Sequence, residues 1–211
     1  MTSTYFLGAN SAQGFYSLYG GFPPRSGFLH IIKGGPGTGK SGFMRAIGSE
    51  AERRGMDVEY VLCSGDPDSL DGVYIPALNE AWVDGTAPHA LDPTIFGVTG
   101  DYVNLGRFCR TPFSSENQVA IRRITPAYKA LYAEGYEHIA AAGKCEVRGG
   151  FDLAPLEKRL DMILRRCPAD GAPYERRVFL RAISCRGLIS LADTLAGYGE
   201  VYEFTSSHGG G

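Results

Sequence analysis

The chain has 211 residues and a formal charge of −2, with 44 % hydrophobic and 21 % charged residues. The length fits one sizeable domain, or one domain plus a fragment of another, and the composition argues against a disordered chain. The mild acidity, with a pI of about 6.1, leaves no electrostatic footprint for nucleic acid. The arginine pairs Arg122–Arg123, Arg165–Arg166 and Arg176–Arg177 are scattered among acids and read as solvated helix faces.

Met1 to Tyr5 has neither the basic start nor the apolar core of a signal peptide, and no apolar run approaches the roughly 20 residues that span a bilayer. No membrane association is expected. Cys63, Cys109, Cys145, Cys167 and Cys185 are odd in number and include no C-x-x-C pair, so neither a zinc site nor a thioredoxin-like motif is indicated. They read as reduced thiols of a cytoplasmic protein.

In chain order, Phe28-Leu29-His30-Ile31-Ile32 is short, apolar and bounded by glycines, as a buried parallel strand should be. Lys40 to about Arg54 predicts a helix with Phe43, Ile47 and Ala51 on its buried face and Gly55 as its C-terminal cap. Val58–Cys63 predicts a second strand, ending in the turn-rich Ser64-Gly65-Asp66-Pro67-Asp68, and Glu80–Asp84 a third. Strand, helix and strand at these lengths imply βαβ crossovers. The expected class is therefore α/β, a parallel sheet of the P-loop NTPase type with helices on both faces.

From about 114 to 167 the pattern becomes a helical insertion. Pro126 suits a first helical position after Thr125, and Tyr128, Tyr132, Tyr136 and Ala140 recur every four residues as a packing face. Leu156, Leu160, Ile163 and Leu164 mark another amphipathic helix. Arg177–Ser184 predicts a strand, Leu188–Leu195 a short helix and Glu200–Phe204 a last strand.

The chemistry is carried by Gly34-Gly35-Pro36-Gly37-Thr38-Gly39-Lys40-Ser41, which fits G-x-x-x-x-G-K-[ST] at every specified position between a strand and a helix. Glycines let the backbone wrap phosphates so that successive N–H groups point inward, and the helix adds its positive end. Lys40 should reach the β- and γ-phosphates of ATP, and Ser41 should ligate Mg²⁺. The motif also needs a carboxylate near the metal. Asp84, closing the third strand, is the first candidate; Asp66 and Asp68, in the turn after the second strand, are rivals. His89 and Arg122, a conceivable base and charge stabiliser, are better read as surface residues. No N/T-K-x-D, D-x-x-G or L-S-G-G-Q sequence occurs, and no four apolar residues precede Asp-Glu. Those absences argue against guanine-reading GTPases, transporter ATPases and AAA+ rings.

Lys33–Ser41, the block Cys63–Gly72 and the block Asp84–His89, in this order and with Tyr5–Gly14, resemble an uncharacterised family of bacterial P-loop ATPases. The resemblance covers most of the chain. It implies nucleotide binding, a cytoplasmic location, site-lining roles for Asp66–Asp71 and Asp84–His89, and two P-loop domains in tandem. It supplies no substrate.

The chain itself carries part of such a tandem. Phe6-Leu7-x-Ala9-x-Ser11-x-x-Gly14-x-x-Ser17-Leu18 recurs as Phe179-Leu180-x-Ala182-x-Ser184-x-x-Gly187-x-x-Ser190-Leu191, at a constant offset of 173 positions. Residues 1–176 therefore read as the nucleotide-binding domain and 177–211 as the opening of a second copy. Ser206–Gly211 falls where Gly34–Gly39 stood, and a homodimer or a further domain is the expected partner. Three functions compete: an ATPase working as a nucleotide-driven switch, a small-molecule kinase with the insertion as lid, and a nucleotide-sensing module that turns over little ATP.

Overall fold

A computed structural model describes residues 1–87, 91–109, 115–144, 154–166 and 176–194. In chain order the strands are β1 (Thr2–Tyr5), β2 (Gly8–Ser11), β3 (Gly14–Ser17) and β4 (Phe28–Lys33). Helix α1 (Lys40–Arg53) follows, then β5 (Val58–Leu62), β6 (Leu70–Ile75), β7 (Glu80–Asp84) and β8 (Gly100–Asn104). Helices α2 (Ser115–Gly143) and α3 (Ala154–Leu164) precede β9 (Arg181–Ser184) and β10 (Gly187–Ser190).

The main sheet has the order β1-β5-β6-β7-β4-β8. β1 runs parallel to β5, and β7 and β8 run parallel to β4 on either side of it. β6 runs antiparallel to both β5 and β7, so five strands share one direction and β6 opposes them. This corrects the expectation of a parallel sheet. Leu70–Ile75 returns through the short Pro76–Asn79 turn, which joins only antiparallel neighbours, because a parallel crossover needs a dozen or more residues.

Side-chain alternation along the strands builds two cores. Leu29 and Ile31 of β4 join Tyr5, Tyr19, Phe22, Val61, Tyr74, Ala81 and Val83 on one face, while Ile32 joins Met44, Val58, Val73 and Ile75 on the other. α1 covers the second face through Met44, Gly48 and Ala51, with Ile47 packed beside them, so Ile47 and Ala51 of the expected stripe lie against the core and Met44 takes the place expected of Phe43. Phe43 is exposed. Gly48 sits mid-helix because a Cβ there would lie 2.4 Å from the Tyr60 ring. Met44 is fully buried, and truncating it to alanine would cost about 2–5 kcal/mol. Gly55, at φ +76°, closes the helix as the sequence predicts.

The first face is not covered by an α-helix among the described residues, which corrects the expectation of helices on both faces. Short 3-10 turns at Tyr19–Gly21 and Pro24–Ser26 and the apolar residues Leu18, Leu91, Val178 and Leu180 close it instead. The helical insertion meets the β2–β3 hairpin rather than the sheet: the Tyr136 hydroxyl donates to Asn10 Oδ1 (3.2 Å). α2 also runs straight through Pro126, with the Thr125 hydroxyl bonded to the Ile121 carbonyl (2.8 Å), so Pro126 does not start it. Tyr128 and Tyr132 stay 48 % and 45 % exposed, which overturns their reading as a packed face.

The repeated block folds twice. β2–β3 and β9–β10 are antiparallel hairpins with equivalent registers, and Ser11 and Ser184 each donate through the hydroxyl to the carbonyl of Gly14 and Gly187. Both glycines have positive φ, +97° and +90°. Leu188–Ser190 is thus strand, not the expected helix; the turn at Gly187 sets the local fold against the leucine spacing. Glu200–Phe204 and Ser206–Gly211 lie outside the described residues.

Candidate functional site

β4 and β7 end together, with Ile32 opposite Asp84, and the sheet ladder continues as Gly85 N–H donates to the Ile32 carbonyl (2.9 Å). The glycine-rich turn therefore leaves the sheet directly beside the candidate carboxylate. Gly37 and Gly39 adopt the left-handed region, φ +77° and +86°, which side-chain-bearing residues rarely enter. The turn closes on itself through Thr38, whose N–H and hydroxyl both reach the Gly35 carbonyl (3.3 and 2.8 Å). A Cβ at Gly34 would lie 2.5 Å from the Thr38 hydroxyl oxygen. Gly39 then starts α1, and no side-chain cap closes that end of the helix.

Lys40 is nearly buried. Its ammonium donates to the Gly34 and Gly35 carbonyls (2.9 and 3.1 Å) and stands 3.5 Å from Asp84 Oδ2. The other Asp84 oxygen accepts from the Thr86 N–H (2.8 Å) and hydroxyl (2.5 Å), which fixes the carboxylate's direction. Beneath it, Lys33 donates to the Gly85 and Leu91 carbonyls (2.9 and 3.2 Å) and steadies the turn after β7.

The rival aspartates are engaged elsewhere. Asp66 accepts from the Ser69 hydroxyl (2.8 Å) and stabilises its own turn. Asp68 is exposed and pairs with Arg186 of the second hairpin. Of the three, Asp84 is the one ion-paired to Lys40. His89 lies outside the described residues, and Arg122 sits on the exposed part of α2.

Ser41 is tied to the segment between β5 and β6: its hydroxyl oxygen accepts from the Leu70 N–H (2.9 Å). That segment is held in turn by Arg45, which donates to the Asp68 carbonyl (2.8 Å), and by Cys185, whose N–H donates to the Gly65 carbonyl (3.3 Å). The second hairpin thus reaches Ser41 through one short loop.

A further buried polar group, closing the Asp66–Asp71 segment that the resemblance marks as site-lining, stands at the same sheet end. Asp71 is buried and adjoins Gly72, which the antiparallel register sets across from Val83, the neighbour of Asp84. Burial, helped by the Asp71 charge, pushes the Cys63 thiol up to about 12, and burial likewise raises the Tyr19 phenol with Asp71 as the next cause. The β-branched and aromatic residues Val73, Tyr74 and Ile75 are the partial signal for this strand, which begins at Leu70 with the turn formers Asp71 and Gly72 ahead of them.

Fold and site together define an α/β protein with a glycine-rich strand-to-helix turn at the carboxyl edge of its main sheet. No protein-family model, curated protein or solved structure matches the chain. Among the described residues no helix is long and apolar enough to cross a membrane, and no cluster of three His, Cys, Asp or Glu residues could hold a metal by itself.

Proposed function

We propose that the chain binds ATP with Mg²⁺ at Gly34–Ser41 and hydrolyses it, using the cycle to drive a conformational switch. The observation that carries the reading is the placement of a nearly buried lysine, a fixed carboxylate and an uncapped helix start around one glycine turn. Left-handed glycines and the helix end supply converging N–H donors for phosphate oxygens. Lys40 is held by two carbonyls that a stronger acceptor can replace, so its ammonium is positioned to turn toward the outer phosphates.

The donor set fits magnesium: a hard, oxygen-only pair of Ser41 hydroxyl and Asp84 carboxylate, completed by phosphate and water. When bound, Mg²⁺ neutralises charge on the outer phosphates. The Ser41 hydroxyl oxygen accepts a hydrogen bond from Leu70, so the residue that would hold the cation is also tied to the 64–70 segment. The reading places the protein in the cytoplasm, in keeping with Cys63, Cys109 and Cys185 standing outside any disulfide.

The test is thermal stability with Mg·ATP. Ligand at about 100 times its Kd adds roughly 2.7 kcal/mol, a shift of about 5–10 °C for a chain of this size. Lys40→Ala should remove the shift, and ADP release should be measurable without any acceptor. No shift with any nucleotide at millimolar concentration overturns the proposal.

A further inference from the structure

Against the same end of the sheet lies a cavity of about 450 Å³, within the range of small-molecule sites. Three parts of the chain wall it: the β2–β3 hairpin with Phe15, the Cys63–Gly65 segment after β5, and the tyrosine stripe of α2. Ala87, three residues beyond Asp84, also lines it.

The walls are built to hold their shape. Tyr136 is anchored through its hydroxyl to Asn10. Tyr132 stands edge-on to Tyr128, with centroids 5.8 Å apart at 87°, and tilted to Tyr136 at 6.2 Å. Its hydroxyl lies so close to the Gly65 backbone that a Cβ there would be 2.8 Å away. Burial raises the Tyr132 and Tyr136 phenols, so both remain neutral donors at ordinary pH.

The charge of the cavity has one sign. Among the described residues Lys129 is the one charged side chain in its wall and no carboxylate lines it; the buried Asp71 charge acts on Cys63 from behind the wall. Aromatic faces take planar rings, and an ammonium beside them selects an anionic substituent over a cationic one.

We propose that this cavity binds a small planar aromatic molecule carrying one anionic group, its ring against the tyrosine stripe and its anion toward Lys129. The proposal does not depend on the nucleotide reading. It does place the ligand against two segments continuous with the candidate phosphate site, Gly65 through Leu70 to Ser41 and Ala87 through Thr86 to Asp84.

Calorimetric titration of the full chain tests it with two pairs of probes, 4-hydroxybenzoate against 4-hydroxybenzamide and AMP against adenosine. At least one anion should bind at millimolar concentration or below, and tighter than its neutral counterpart. Tyr132→Ala should weaken that binding about tenfold or more, the scale of a lost ring stack. Lys129→Ala should bring the anion to the level of its neutral partner. Tyr128→Ala, at a half-exposed position, gives a second arm should Tyr132→Ala fail to fold. Binding must persist in Lys40→Ala, which separates this site from the glycine-rich turn. No binding by either anion, affinity unchanged in both tyrosine variants, or loss in Lys40→Ala would each overturn the assignment.

Discussion

Phe6 and Phe179 exchange both backbone hydrogen bonds, N–H to carbonyl at 2.9 Å in each direction, as one antiparallel bridge. The two residues hold the same place in the repeated block, so each meets its own counterpart, as a two-fold axis between copies requires. Asn10 and Ile183 are equivalent as well, and the Asn10 amide donates to the Ile183 carbonyl (2.8 Å). Isoleucine cannot return that bond. The backbone relation is symmetric while the side chains have diverged.

Asn10→Ala should therefore destabilise the chain by about 1–2 kcal/mol, since Asn10 bridges both the second hairpin and Tyr136. Urea denaturation measures it. Ile183→Ala, which leaves the accepting carbonyl in place, should cost less; equal losses would show that Asn10 acts through packing alone.

Asp84→Asn should lower ATP turnover about a hundredfold while weakening Mg·ATP binding about tenfold or less, because a metal-holding carboxylate matters most as charge moves. Without nucleotide the variant should lose about 1–3 kcal/mol, as Lys40 keeps its two carbonyl acceptors. Steady-state kinetics beside binding titration separates the two effects. If Asp66→Asn shows this profile and Asp84→Asn does not, the carboxylate has been misassigned.

Gly85→Ala places a Cβ 2.2 Å from Ile31 Cγ2, and Ile31 is fully buried. Overpacking should cost about 1–3 kcal/mol and displace the turn that fixes Asp84. Gly35→Ala has nothing within 4 Å of the added methyl, so thermal melts should show it near wild type without ligand.

Cys63 should resist alkylation at pH 8, where a thiol pushed up to about 12 has a thiolate fraction of about 10⁻⁴. Exposed Cys109 and Cys185 should label before Cys63 under peptide-resolved mass spectrometry. The folded state keeps a proton that the unfolded chain releases near the ordinary value of 9.0. Its stabilising contribution is complete below pH 9 and is lost as pH rises towards 12. Cys63→Ala should flatten part of that alkaline decline.

The strands at the heart of the site were legible because their apolar runs and glycine boundaries agree: Phe28–Lys33 and Glu80–Asp84 form where the pattern puts them, and Asp84 meets Lys40. What the sequence hid follows from mixed signals. Leu70–Ile75 begins beside Asp66-Pro67-Asp68 and contains Gly72, so turn chemistry masked a strand buried along its whole length. Gly100–Asn104 holds two apolar residues, Tyr102 and Val103, between Asp101 and Asn104, and its ladder partner among the described strands is β4. Leu188–Leu195 has helical spacing, yet the matching block at the start of the chain already held the hairpin answer. The aromatic cavity depends on α2 crossing the first hairpin, a tertiary contact that no local pattern encodes.

The reversed direction of β6 also sets a timetable. β5, β6 and β7 are neighbours in both sequence and space, joined by short turns, whereas β1 must find β5 across more than fifty residues and β4 must enter between β7 and β8. Loop-closure entropy favours the near pairs, so the 58–84 meander is expected to form first and template the parallel strands. Conservative truncations at Val61 and Val73 should slow refolding, while those at Tyr5 and Val103 should mainly hasten unfolding. The glycine turn and its lysine would then be assembled late, when β4 slots into a sheet that is already waiting for it.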